Sequence, residues 1–392
     1  MNMDKTATQN KFSLILYWLL LGQLCIISIS IAAASLLLGS VVVLLFAWSI
    51  TERKSILPRT PYDYVLAAYF AIELVTVLLS EDKSEAFKNV KRFFLVLILY
   101  AVVLSFDSRK KTESGIKIIS AAIALLSVVE IVLSIYFGID RLSVFQHYMT
   151  TGGLKMIVSL LLIPFILAKE TPKRDRLFFV SAVIPIFLSL LLTNTRSSWL
   201  GFLAGMAILG GLYYRKLLGG LIGLVVLFFL FAPQNQIDRA KSIVDLEHPN
   251  NVGRVKMWTT GIEMWKDKPI FGFGDIDLYR SYSRYRTPGI DEPAGHLHNI
   301  YIHLLVTLGI VGFAIVMFLF FKILQTQYRI FVRCRNDALP RNVSLGALSI
   351  FTGFLINGLF EWNFGDHEIM VFIWFTVGLC IAINSIAQTE KQ

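Results

Sequence analysis

The chain has 392 residues, a mean hydropathy of +0.64, 55% hydrophobic residues and only 16% charged ones. A soluble domain of this length needs far more polar surface, so an ordinary soluble globular protein is excluded. The formal charge of +10 does not call for nucleic acid, because in a polytopic membrane protein lysine and arginine first set orientation.

A bilayer-crossing helix takes about 20 apolar residues. Apolar runs between charged or turn-rich breaks predict spans at 12–30, 33–50, 63–80, 93–106, 115–137 and 153–168. Six more follow at 177–192, 197–213, 217–232, 298–324, 342–361 and 367–387. The fold class is therefore an all-α polytopic membrane protein of about twelve transmembrane helices. The polar N-terminus precedes an apolar stretch longer than a signal-peptide core, so the first helix is expected to stay as an anchor. Basic residues gather at alternate ends, among them Arg53, Lys54, Arg109 to Lys111, Lys173, Arg174 and Arg333. That pattern places both termini in the cytoplasm and one large outer loop between the ninth and tenth spans. The expected organisation is helices one to nine over 1–232, the loop over 233–297 and helices ten to twelve over 298–392. Cys25 and Cys380 fall in apolar runs and Cys334 in a basic cytoplasmic loop, so no disulfide is expected.

The loop has its own plan. Val255, Trp258, Ile262 and Trp265 recur every three or four residues and predict an amphipathic helix over 251–268, stopped by Pro269. Gly272 and Gly274 mark a turn, and a stretch containing Tyr279, Tyr282 and Tyr285 leads to Pro288, Pro293 and the histidines.

Basic residues that break the charge rule are the most informative. Lys88, Lys91 and Arg92 are spaced to share one face of a short interfacial helix, suited either to an anionic ligand or to pairing with Asp82 and Glu85. Arg196 is the single charge in the short outer turn Thr193-Asn194-Thr195-Arg196-Ser197-Ser198. A guanidinium at a helix start among hydroxyls suits phosphate oxygens. Glu73 and Glu130 lie inside apolar spans, where carboxylates are costly and face a bundle interior. A structural role, in pairs with the basic residues above, is the reading favoured for both. Three of the six histidines, His296, His298 and His303, cluster at the start of span ten. No carboxylate or cysteine accompanies them at a usual ligand spacing, so acid–base or phosphate chemistry is preferred to a metal.

In order along the chain, four pieces now stand together: Thr195-Arg196-Ser197; Gly253-Arg254-Val255-Lys256-Met257-Trp258; Lys268-Pro269-Ile270-Phe271-Gly272-Phe273-Gly274; and His298-Asn299-Ile300-Tyr301 followed by Leu308-Gly309-Ile310-Val311-Gly312. Their order resembles the O-antigen ligase and polymerase superfamily of bacterial membrane glycosyltransferases, most densely over 190–315. The resemblance implies a glycan on undecaprenyl pyrophosphate as donor, lipid A core as acceptor, an inner-membrane location and a periplasmic site. It implies that His298 is the histidine beside asparagine and that Arg196 and Arg254 are the two arginines essential in ligases. It gives Lys88, Lys91 and Arg92 a looser match to outer basic residues near the donor phosphates, and leaves His296 and Asn299 as secondary positions. The reading needs no cofactor, no metal and no nucleic acid, since the lipid pyrophosphate already carries the energy for transfer. A polymerase and a protein O-oligosaccharyltransferase would use the same donor; the single large loop favours the ligase. A transporter is less well matched, because it commonly shows repeated halves and broken helices at the midplane.

Overall fold

The computed structural model describes residues 2–52, 55–286 and 294–390, with side chains from residue 9 onward. Arg53, Lys54, Pro288 and Pro293 lie outside the described residues.

The regular structure of the described chain is all helical, with no strand. In order the helices are α1 (Asn2–Ile26), α2 (Ile31–Glu52), α3 (Asp63–Leu79), α4 (Lys83–Asn89), α5 (Leu97–Ser105), α6 (Arg109–Phe137), α7 (Tyr148–Leu167) and α8 (Lys173–Leu192). Then come α9 (Arg196–Leu212), α10 (Lys216–Phe231), α11 (Gln234–Lys241), α12 (Pro249–Asp267), α13 (Tyr279–Tyr282), α14 (Ile300–Arg333), α15 (Ala338–Asn357) and α16 (His367–Thr389). Seven described helices, α2, α6, α7, α8, α14, α15 and α16, are long and apolar enough to cross a membrane. The predicted span at 93–106 is a composite, a 3₁₀ helix over Val90–Val96 running into α5.

The most buried helices, α7, α15 and α16, form the centre, and α9 and α14 pack onto α15. Apolar side chains gain little from leaving lipid for protein, so close backbone approach has to hold such helices together. Small residues provide it here. A Cβ on Gly201 would sit 2.6 Å from the Gly353 carbonyl, and one on Gly205 would sit 2.8 Å from that of Ser349. This seam brings the start of α9 beside the end of α15, where Asn357 Nδ2 donates to Ser198 Oγ at 3.1 Å.

The loop helix α12 ends before Pro269 as its sequence predicts, but its packed face differs. Thr260, Gly261 and Met264 are buried while Val255 is exposed. Gly261 is the cause: a Cβ there would meet Leu297 at 2.7 Å, so the missing side chain lets α12 settle on the chain entering α14. Beyond it, the segment carrying Gly272 and Gly274, both at positive φ, docks into a break in α14 at Gly309 (φ 65°). The Phe273 and Gly274 amides donate to the Val306 and Thr307 carbonyls at 2.9 and 2.8 Å, and the Ile310 amide donates to Pro269 at 2.8 Å. The loop thus takes over hydrogen bonds that the helix break leaves open.

The two carboxylates read within apolar runs are both buried. Glu130 on α6 pairs at 2.7 Å with Lys155 on α7, both side chains almost fully buried. That partner replaces the outer basic residues expected from the sequence. Glu73 on α3 is buried beside Tyr69, Arg92 and Asp275 around a small cavity. Of the loop tyrosines only Tyr279 is exposed; Tyr282 is fully buried, and the Tyr285 hydroxyl donates to Asp267 at 2.5 Å.

Candidate functional site

The turn before α9 holds Asn194 at φ 52°, an uncommon backbone state for a residue with a side chain. Two arginines brace it. Arg141 donates from Nε to the Thr193 carbonyl and from Nη2 to that of Asn194, both at 3.2 Å, while Arg239 Nε donates to the Asn194 carbonyl at 3.1 Å. The Arg141 guanidinium also lies 3.3 Å from the centre of the Tyr148 ring, a cation–π contact that fixes its plane.

The turn presents Arg196, which is only 6% exposed, and its Nη1 donates to the Ser242 carbonyl at 2.6 Å and to Ser242 Oγ at 3.0 Å. Arg239, Arg254 and Arg141 all act on Arg196 electrostatically. Arg254, on α12, is held below the ordinary arginine range by burial, with Arg239 adding to the shift and Glu361 opposing it. Among the described residues no carboxylate comes within ion-pair distance of any of the four. Four guanidinium groups without a carboxylate in ion-pair range, in partly buried surroundings, have the chemistry that suits an anion.

Beside them the chain turns sharply at His298, whose φ is 44°. Asn299 then caps α14: its side chain accepts from the Ile302 amide at 3.0 Å and donates to the Leu359 carbonyl at 2.9 Å. Asn299 is thereby a structural residue that ties the histidine to the segment following α15. That segment supplies Glu361, whose carboxylate lies 3.2 and 3.3 Å from His298 Nδ1. Burial pushes the Glu361 carboxyl up, but the hydrogen bond from His298, the charges of His298 and His296 and the Trp362 amide hold it below the usual carboxylate range. Such a carboxylate orients the ring and favours a proton on Nδ1, leaving Nε2 as the acceptor. The His296 ring centre is 4.2 Å from that of His298, and burial lowers the His296 pKa below the ordinary value.

The histidines and Glu361 line a cleft of about 470 Å³, together with Arg92, Asp277 and Asp366. A second, apolar groove of about 690 Å³ runs between α8, α9, α10 and α11, lined by Leu188, Trp199, Leu203, Phe228 and Ile243. Its lining residue Ile243 follows Ser242, the partner of Arg196, in the chain.

The structure brings Arg196, Arg254, His298 and His296 to one end of the helical bundle. Arg92 reaches the cleft but is paired with Asp275 at 2.5 Å. Lys88 and Lys91 are exposed and do not line it, so the three basic residues do not act as one face. Burial of the short 3₁₀ segment turns Arg92 inward and leaves the lysines outside. Arg141, Arg239 and Glu361 escaped the sequence reading. Glu361 stood at the predicted end of an apolar span, where a lone carboxylate beside Trp362 was the available signal.

Fold and site together describe a helical, multi-pass membrane protein with a cluster of four arginines beside a histidine–carboxylate pair. Residues 180–317 match the O-Antigen ligase family. That match, over about a third of the chain, supports membership of the O-antigen ligase superfamily and points to a membrane protein of glycosyltransferase type. An uncharacterized protein of Haemophilus influenzae is 24% identical over 272 residues, 62% of this chain and 67% of the relative.

Proposed function

We propose that the chain is an O-antigen ligase, transferring a glycan from undecaprenyl pyrophosphate to lipid A core on the outer face of the bacterial inner membrane. In this reading twelve spans leave both termini in the cytoplasm, and α11 to α13 belong to the periplasmic loop. The observation that carries it is the four-arginine pocket without counter-ion beside His298 and Glu361.

The chemistry follows from those groups. Breaking the bond between a sugar's anomeric carbon and pyrophosphate concentrates negative charge on the leaving oxygen. Arg196 and Arg254 take that charge, each preorganised donor contributing roughly 100- to 1,000-fold in rate. His298 Nε2 accepts the proton of the attacking acceptor hydroxyl, contributing roughly 100- to 10,000-fold, while Glu361 stabilises the imidazolium that forms. Attack on the face opposite the pyrophosphate gives inversion. No ATP or metal enters, because the leaving group is already activated.

The apolar groove beside Ser242 suits the polyprenyl chain, since it lets a lipid lie along α8 to α10 with its pyrophosphate at Arg196. The aqueous cleft on the other side of His298 suits the acceptor sugar. The test is transfer in reconstituted lipid, without ion gradient, ATP or added metal, using lipid-linked glycan and lipid A core. Product on lipid A core supports the ligase; lengthening of the lipid-linked glycan moves the assignment to a polymerase; transfer to a protein moves it to an oligosaccharyltransferase.

A further inference from the structure

His296 and His298 stand two apart in the chain, a spacing that gave no reason to expect a shared ligand. The positive φ at His298 folds the two rings together, and tertiary structure adds Glu361 from 63 residues away. One donor atom from each of the three lies within 4.8 Å of the others. Zinc binds imidazole nitrogen and carboxylate oxygen at about 2.0–2.2 Å, so two donors of a tetrahedral site sit about 3.3 Å apart. The His298 Nδ1 distances to the two Glu361 oxygens, 3.2 and 3.3 Å, already have that value. His296 Nδ1 is buried without a hydrogen-bond partner, a group whose desolvation a ligand would offset. Asp277 and Asp366 line the same cleft and oppose the charge of the arginine pocket toward a cation.

We propose that His296, His298 and Glu361 form a site for a divalent transition ion of the zinc class, and that its occupancy switches transfer off. The inhibitory half rests on the ligase reading; the binding half stands without it. The switch is a change of tautomer. In the metal-free site His298 carries its proton on Nδ1, bonded to Glu361, and Nε2 is free to accept. Zinc takes the Nδ1 lone pair, and the displaced proton moves through water to Nε2. The ring remains neutral and no proton is lost overall. Nε2 then donates and can no longer accept the acceptor's proton, while Glu361 is held by the metal.

The test uses full-length protein without a polyhistidine tag, in lipid, titrated with Zn²⁺ against a chromophoric chelator. One equivalent binds, and His296→Ala or Glu361→Gln weakens binding roughly 10-fold or more, since removing a ligand costs at least as much as removing a ligand's own partner. Co²⁺ bound to wild type gives the intense visible absorption of a four- or five-coordinate site, a readout that needs no variant. Absence of stoichiometric binding, or binding indifferent to both substitutions, overturns the site. Zinc at saturation lowers transfer roughly 100-fold or more, matching loss of the base, and a chelator restores it. Binding with undiminished transfer overturns the switch. A protein that transfers glycan to no acceptor even without zinc defeats the ligase reading instead, and leaves the titration to decide the site.

Discussion

The molecule buries charge in two ways, and they teach different things. Between α6 and α7, Lys155 and Glu130 neutralise each other at 2.7 Å with side chains 1% and 2% exposed. At one end, Arg141, Arg196, Arg239 and Arg254 crowd together with no carboxylate among the described residues to pair them. The first arrangement is complete in itself and joins α6 to α7. The second has no counter-charge of its own among the described residues, and a half-buried cation cluster of that kind suits an anionic ligand.

Breaking the site end has the larger expected effect on activity. His298→Ala lowers transfer by roughly 100- to 10,000-fold with the protein still folded, read as initial rate in reconstituted lipid. Arg196→Ala lowers it by roughly 100- to 1,000-fold, and Arg196→Lys restores little, because a point charge cannot replace a planar donor held on Ser242. Breaking the closed pair moves stability instead. Glu130→Leu leaves Lys155 buried without its counter-charge and destabilises the protein by about 3–5 kcal/mol, whereas Glu130→Leu with Lys155→Met recovers most of that loss. Thermal unfolding in detergent reads both. The smallest effect sharpens the site's edge: Lys88→Ala or Lys91→Ala changes transfer by no more than about 5-fold, the ceiling of an exposed charge worth 1 kcal/mol.

Legibility in the sequence followed the range of the interactions. Helices were readable because apolar runs are local, and α12 could be placed from its period and from Pro269. Its packed face was not, because Gly261 makes room for Leu297, a contact that no periodicity reports. Arg196 was reached as a charge in an outer turn, His298 in the histidine cluster, and Arg254 through motif order. Arg141 and Arg239 were not, since Arg141 reaches the carbonyls of Thr193 and Asn194, and Arg239 that of Asn194, from other parts of the chain. Glu361 shows the same limit. It lies 63 residues from His298, in the segment following α15, so no local spacing reports the pairing.

The central claim is that the arginine pocket and His298 perform one glycan transfer. The direct measurement reconstitutes purified protein in lipid with undecaprenyl-pyrophosphate-linked glycan and lipid A core, and compares wild type with Arg196→Ala, Arg254→Ala and His298→Ala. The account predicts glycosylated lipid A core with wild type alone, in the absence of ATP and added metal. Near-normal product from folded His298→Ala, or from folded Arg196→Ala, would contradict it.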